Sequence, residues 1–297
     1  MRMTTRTFTC LAVWGVMTSP LLAGDPYLLQ TGAPDDQSVY APTAPPRDDA
    51  GVNEGAVSLE FDFRYMTDYV YRGVDYSEVG GGEDAPNLQF DGKVSFDLGR
   101  LPHPFLGVFA NVYNSDPDSR FQEVRPYFGF DWTIRPITIT AAHLTYIYPE
   151  RDDFNTSEGL VRISLDDSYF FRTEKPIFSP YILGAYDYDR NNGWYGEAGI
   201  VHEFVIEDTG VTLTFTGAVG YIDGIQGNFV FENEQTKGFS HAEIGLVGNY
   251  SLNNLLNIPK RYGEFLLKGY VYYTEGLDQN INNDTQIWGG MGIGFKY

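Results

Sequence analysis

Cysteine is almost missing from this chain. Cys10 is the single one among 297 residues, and it falls in an opening segment that reads as removable. A chain beginning after Ala23 has no thiol, which excludes disulfides and thiolate metal sites. Basic residues are scarce as well: 20 Lys and Arg stand against 40 Asp and Glu, a net charge of −20. Losing the opening segment removes Arg2 and Arg6 and no acid, which takes the balance to −22. Such acidity argues against nucleic acid and against polybasic docking on anionic lipid. There are four histidines, His103, His143, His202 and His241, with no partner at a metal-ligand spacing and no HExxH. No later stretch approaches the roughly 18 uninterrupted apolar residues of a membrane helix. Mean hydropathy is −0.28. That value suits a membrane barrel, because only every second residue of its strands meets lipid.

What the chain does have is tyrosine (22), phenylalanine (21) and glycine (33), against five Met and four Trp. This is a β-rich composition that interfacial aromatic girdles would use. Residues 1–23 read as a secretory signal, with Arg2 and Arg6 at the start, the mostly apolar Phe8 to Val16, and Leu21-Leu22-Ala23 before the cut. Residues 24–56 are rich in Pro, Asp, Ala and Gly without periodicity, as in Ala44-Pro45-Pro46-Arg47-Asp48-Asp49, and are expected to be a disordered periplasmic lead-in.

From Val57 to Tyr297 the period is two. Val57, Leu59, Phe61, Phe63 and Tyr65 alternate with Ser58, Glu60, Asp62 and Arg64. A row of Glu, Asp and Arg is too costly to desolvate inside a soluble sandwich, but it can wall a polar lumen. Similar runs recur near 88–98, 105–113, 124–134, 137–148, 159–166, 180–188, 194–206, 211–221, 242–250, 265–273 and 286–297. In the 137–148 run, Ile137, Ile139 and Ala141 suit one face and Leu144, Tyr146 and Tyr148 the other, which predicts a β-bulge near His143. In the last run Ile287, Met291, Ile293, Phe295 and Tyr297 share one face. Gly290, Gly292 and Gly294 line the other and should leave room beside it. A strand ending on a large aromatic resembles the C-terminal targeting signal of bacterial outer-membrane barrels, which implicates Phe295 and Tyr297 and, as a partner, the barrel-assembly machinery. The fold expected is all-β: a transmembrane, antiparallel, up-and-down β-barrel of about twelve strands, the last closing on the first. Connections after odd strands are mostly long and polar and those after even strands mostly tight. The connections 167–179 and 251–261 depart from that asymmetry.

Parity nominates the lumen residues. Glu60, Asp62, Asp91, Asp97, Asp131, Glu197, Glu203, Glu243 and Glu264 should face inward, opposed by Arg64, Lys93, Arg162 and Lys268. An acid-lined pore favours cations, although charges on neighbouring strands, such as Asp62 or Arg64 near Lys93, could instead pair with opposite charges across the lumen and close it. Catalytic chemistry is not supported. Ser240 and His241 are adjacent and should point to opposite faces of a strand, and His202 lies on the lipid parity. Neither Gly80 to Gly82 nor Gly289-Gly290 opens a helix as a phosphate loop does. No cofactor is implied.

Just after the first run comes Met66-Thr67-Asp68-Tyr69-Val70-Tyr71-Arg72-Gly73. Extending the strand's parity sends Asp68 and Arg72 to the lumen mouth and Tyr69 and Tyr71 to an outer aromatic belt. Thr67, Asp68, Tyr69, Tyr71, Arg72 and Gly73, followed by Leu88-Gln89 and Gly92, resemble the opening of the TorF-type porins of bacterial outer membranes. The family's Ser-Gln-Ser-like run is replaced here by Asp75-Tyr76-Ser77, and the match covers about Tyr65 to Asp97. The resemblance implies the outer membrane of a Gram-negative-type bacterium and a barrel in contact with lipid. The expected role is a porin-like channel for passive diffusion of small polar solutes or ions, leaning to cations. Two alternatives remain at this point. One is a non-conducting barrel whose acidic external loops, above all 223–238 with Phe229, Phe231, Glu232 and Glu234, bind cations or a partner. The other is a soluble barrel with an apolar cavity. Oligomeric state is not legible.

Overall fold

The computed structural model describes residues 56–77, 86–113, 122–149, 151–206, 209–224, 236–278, 281 and 285–297. The expected signal, nearly all of the lead-in, Gly80 to Gly82 and most of the 223–238 loop lie outside the described residues. Among the described residues, fourteen strands follow in chain order: β1 (Val57–Met66), β2 (Val70–Tyr71), β3 (Val74–Asp75), β4 (Asn87–Phe96), β5 (His103–Tyr113), β6 (Glu123–Ile134), β7 (Ile137–Tyr146), β8 (Thr156–Leu165), β9 (Tyr181–Asp187), β10 (Gly193–Ile206), β11 (Val211–Gly224), β12 (Thr236–Ser251), β13 (Glu264–Gly276) and β14 (Thr285–Lys296).

Twelve of these form one closed antiparallel barrel; β2 and β3 form a separate two-stranded hairpin. Closure comes from β1 against β14, in register from Glu60 opposite Lys296 to Met66 opposite Gly290. Leu59 and Tyr297 exchange two backbone hydrogen bonds of 2.8 Å at the end of the seam. The closed ladder leaves no edge strand, the condition for strands to cross a bilayer.

Alternation decides what each face meets. Phe63, Tyr65, Leu88, Phe128, Phe130, Val161, Ile182, Ile244, Val271, Met291 and Ile293 are exposed on the outside. Asp62, Arg64, Gln89, Arg125, Glu158, Arg162, Glu197, Glu243 and Lys268 are buried within. Apolar surface this extensive is not stable in water and marks the face a transmembrane barrel gives to lipid. The same distribution overturns the soluble-barrel alternative, which would need a polar outer face and an inner wall without rows of charge.

The bulge is not where the sequence pattern suggests. β7 pairs without a shift to both β6 and β8, so Leu144 and Tyr146 belong to the inner face together with Thr140. That face turns apolar because something packs against it. The irregularity lies in β12 instead, where Gly220 opposes His241 and Tyr221 opposes Phe239, leaving Ser240 as the extra residue.

The two long connections on the side of the N-terminus carry structure of their own. A short helix, α1 (Ser168–Phe171), follows β8, and α2 (Leu252–Leu256) follows β12. Buried Asp167 accepts from the backbone N–H groups of Ile177 (2.7 Å) and Phe178 (2.8 Å). Asn253 donates to Gly263 O at 2.7 Å and accepts from Phe265 N at 2.7 Å. One polar side chain therefore closes each excursion.

Candidate functional site: the lumen and the hairpin that crosses it

β1 runs outward to Met66, and the chain then turns into the barrel. Thr67 holds the bend: its N–H donates to Gly289 O (2.8 Å) and its Oγ1 accepts from Gly289 N (3.1 Å). β2 and β3 pair Val70 with Asp75 and Tyr71 with Val74. Arg72 and Gly73 form the two-residue turn, at φ of +53° and +80°. Positive φ at both central positions is the turn geometry that matches strand twist in two-residue hairpins. Tyr69, Val70, Tyr71, Arg72, Asp75, Tyr76 and Ser77 are all buried. The expectation that Tyr69 and Tyr71 join an outer belt is therefore wrong. Strand parity stops at the Thr67 bend, and both rings lie inside the barrel, Tyr69 against Phe109 and Tyr71 against Tyr146.

The hairpin spans the lumen. Around the wall, β9 stands opposite β1, and the tip of the hairpin reaches the strands on either side of β9. Arg72 donates from Nη1 and Nη2 to the two oxygens of Glu158 on β8, at 2.9 and 2.7 Å. Its guanidinium lies 4.2 Å over the ring of Tyr195 on β10 and 5.0 Å from that of Tyr71. Tyr146 donates to Glu158 Oε1 at 2.7 Å, and its hydroxyl is 2.6 Å from that of Tyr71. At the base of the hairpin, Arg125 Nε donates to Glu123 at 2.6 Å and Arg125 Nη2 to Tyr69 OH at 2.8 Å. Tyr69 OH in turn donates to Glu123 at 2.9 Å. The Arg125 guanidinium sits 4.2 Å over Tyr71 and 4.3 Å over Tyr146. Gln286 on β14 donates to Asp75 at 2.9 Å. Buried charges survive only when paired and hydrogen-bonded, and both of these arginines are.

Toward the N-terminal end of the barrel the inner charges form a second network. Asp62 accepts from Arg64 (3.2 Å), Lys268 (2.9 Å) and Tyr270 (3.2 Å). Asp91 accepts from Tyr127 at 3.0 Å and lies 4.0 Å from Arg64. Lys93 is 3.8 Å from Asp131, which accepts from Thr140 at 2.6 Å. Glu60, Asp91, Lys93, Asp131, Glu203 and Glu264 are only partly buried, so this end is a wetter vestibule. Nearer the hairpin, Arg162 lies 3.8 Å over Tyr181, and Tyr181 donates to Glu197 at 2.6 Å. Tyr195 also donates to Glu197, and Glu243 accepts from Thr274 at 2.9 Å.

Several expectations need correction. Asp97 does not face inward: β4 ends at Phe96, and Asp97 is exposed in the following turn, 3.3 Å from His103 and accepting from Gly99 N at 2.6 Å. Asp68 is half-buried at the bend that starts the hairpin. The glycines of β14 leave no vacant room. A Cβ at Gly294 would lie 2.6 Å from Lys268 Cε, one at Gly290 2.8 Å from Met66 Sδ, and one at Gly292 3.2 Å from the Tyr270 hydroxyl. Ser240 and His241 do not point apart. The bulge turns both inward, with Ser240 Oγ 2.9 Å from His241 Nδ1, so this hydroxyl faces the hairpin side and not lipid. Phe295 packs on the outer face between Phe61 and Phe265, at ring distances of 6.3 and 4.9 Å.

Glu123, Arg125 and Glu158 are not among the residues that alternation nominates, and Tyr146 is nominated only as one side of a bulge. Two were lost to strand ends, since β6 begins at Glu123 and β8 at Thr156, before the boundaries the alternation suggested. Arg125 was recoverable, sharing its parity with Asp131 on β6.

No family model matches the chain, and no characterised protein matches it in sequence. Among solved structures, the NanC porin is 12% identical with a TM-score of 0.46, covering 80% of this chain and 100% of that one. An outer-membrane channel from Pseudomonas putida F1 is 8% identical with a TM-score of 0.46, covering 86% and 100%. The β domain of the Bordetella autotransporter BrkA is 10% identical with a TM-score of 0.38, covering 81% and 98%. Likeness at this level carries no information about substrate or role.

Proposed function

We propose that the protein is a porin-like channel of the outer membrane of a Gram-negative-type bacterium. It passes small polar solutes or ions, with a lean to cations, and is closed at rest by the 68–77 hairpin. One observation carries the reading. The inner wall of a lipid-facing barrel carries hydrogen-bonded charges interleaved with a tyrosine-rich cluster, and what crosses it is a hairpin joined to the wall by side-chain bonds and not by ladder pairing. An interior built only for stability would be expected to dispense with its buried ion pairs, since replacing them by packed hydrophobes is often neutral or stabilising. The lean to cations rests on Glu197 and Glu243, whose carboxylates are bonded by hydroxyls, and on the vestibule acids Glu60, Asp91, Asp131, Glu203 and Glu264. Lys93, Arg162 and Lys268 complete the lining. The TorF-type resemblance across Thr67 to Gly73 agrees with this role, and it falls on the hairpin itself. The terminal strand with Phe295 and Tyr297 engages the barrel-assembly machinery.

The test is conductance in planar bilayers of the refolded protein and of a variant with residues 69–76 replaced by a short Gly-Ser linker. The expected result is a small or intermittent current for the wild type and a steady, cation-selective current for the variant. A correctly folded variant that never conducts would end the channel reading.

The filled outer half of the lumen favours a second reading, a non-conducting barrel that works through its external surface. Absence of current from both proteins selects it.

A further inference from the structure

Arg72 is an odd residue for its backbone. At φ +53° in a two-residue turn, Gly, Asn or Asp are the favoured occupants, because a Cβ in the left-handed region crowds the following carbonyl. Arginine at this position is accounted for by where its side chain goes. Its planar head meets a carboxylate fork, with 2.9 and 2.7 Å bonds to Glu158, and an aromatic floor at Tyr195, 4.2 Å away. Tyr146 braces the carboxylate from the side at 2.7 Å. Glu158, Tyr146 and Tyr195 all belong to the barrel wall, on β8, β7 and β10. They would remain in place if the hairpin left.

We infer that Glu158, Tyr146 and Tyr195 form a receptor on the lumen wall for a guanidinium-bearing solute, and that Arg72 occupies it as an internal surrogate while the hairpin is closed. The chemistry is specific to that class. A bidentate carboxylate fits the guanidinium fork and not a compact ammonium, and a tyrosine face attracts a flat, weakly hydrated cation more than a strongly hydrated metal ion. A solute binding there competes directly with Arg72, so it loosens the hairpin tip that blocks its own path. The inference deepens the channel reading and rests on it for the meaning of that path. Binding itself is readable without any current.

The experiment uses the full chain refolded in detergent, with heat-modifiable gel mobility as the check on folding. Methylguanidinium chloride is titrated calorimetrically into wild type, Arg72→Ala and the double variant Arg72→Ala/Glu158→Gln, with sodium chloride at equal ionic strength as the control. The expected result is saturable one-to-one binding by Arg72→Ala, at least tenfold weaker in the wild type and in the double variant. Equal binding by Arg72→Ala and the double variant, or no heat beyond the sodium control, overturns the receptor. Should Arg72→Ala fail to fold, Arg72→Lys keeps the charge and gives up the fork. Tryptic cleavage of that variant at the bond preceding Gly73 should then rise severalfold with methylguanidinium and stay flat with sodium; a flat response to both overturns the receptor. A barrel that binds methylguanidinium but never conducts keeps the receptor and loses the passage. One that conducts without binding keeps the passage and loses the receptor.

Discussion

Gly73 at the hairpin tip lies directly against His241 of β12: a Cβ built on Gly73 would stand 2.5 Å from the His241 Cβ. The contact joins the first external connection of the chain to a strand from its last third, and it leaves Gly73 no alternative on two counts. Its φ is +80°, where an L side chain is strained by roughly 1–2 kcal/mol, and the space a methyl group needs is taken by an imidazole. Gly73→Ala should therefore undock the hairpin without unfolding the barrel. Trypsin reports this at the Arg72–Gly73 bond, which should be protected in the wild type and cut in the variant, with heat-modifiable mobility retained. Adding His241→Gly, which removes the Cβ as well as the ring, takes away the steric part and leaves the backbone part, so the double variant should be cut at an intermediate rate. Equal cleavage in all three would show that the contact does not hold the tip.

The base of the hairpin depends on a charge. Arg125 is fully buried, bonded to Glu123 and Tyr69. Arg125→Ala strands the Glu123 carboxylate in a dry environment, a loss of about 3–5 kcal/mol for a buried pair deprived of one partner. Arg125→Met combined with Glu123→Leu removes both charges and should recover most of that loss. Thermal unfolding in detergent reads the order wild type, then double variant, then Arg125→Ala. A double variant no better than the single one would mean that packing against Tyr71 and Tyr146, and not charge, is what Arg125 supplies.

The outer face makes a separate prediction. Met291 is 66% exposed at the middle of β14, and Thr285 is exposed at its end. If the apolar band meets hydrocarbon, Met291→Arg should destabilise by about 2–4 kcal/mol, and Thr285→Arg by no more than about 1 kcal/mol. Urea titrations of folding into phospholipid vesicles measure both. Equal penalties would place the band outside the membrane core.

How much of this was visible in the residues depends on how far period two extends. Where a strand continues, burial follows the alternation: Asp62 and Arg64 on β1 are buried, and Phe128, Phe130 and Trp132 on β6 are exposed. Alternation also supports an even count and a closing seam, and both are present. The hairpin was hidden because parity says nothing once the chain bends. Asp68 to Arg72 alternate as well as any strand, yet Thr67 turns them inward. Leu144 and Tyr146 misled for the converse reason. An inner face is expected to be polar, and a tyrosine-rich one made sense only after the hairpin that packs against it was known. The bulge at Ser240 is set by pairing with Gly220 and Tyr221, which a single strand's pattern does not contain.

Selectivity offers the last prediction, and it separates the vestibule from the plug. Asp131 lies 3.8 Å from Lys93, and both are partly exposed near the N-terminal end of the barrel. At 3.8 Å the contact is too long for a hydrogen bond, so its effect on stability should be no more than about 1 kcal/mol. Its effect on ions should be larger, because charges lining a narrow wall bias permeation across the width of the lumen. In the barrel freed of residues 69–76, Asp131→Asn should lower the cation-to-anion permeability ratio, and Lys93→Gln should raise it. Reversal potentials under a potassium chloride gradient give both values, and urea midpoints check that folding is unchanged. Opposite shifts from two neighbouring residues, at constant stability, would place both on the ion path. Shifts of the same sign would mean that the current runs elsewhere in the lumen, nearer Glu197 and Glu243.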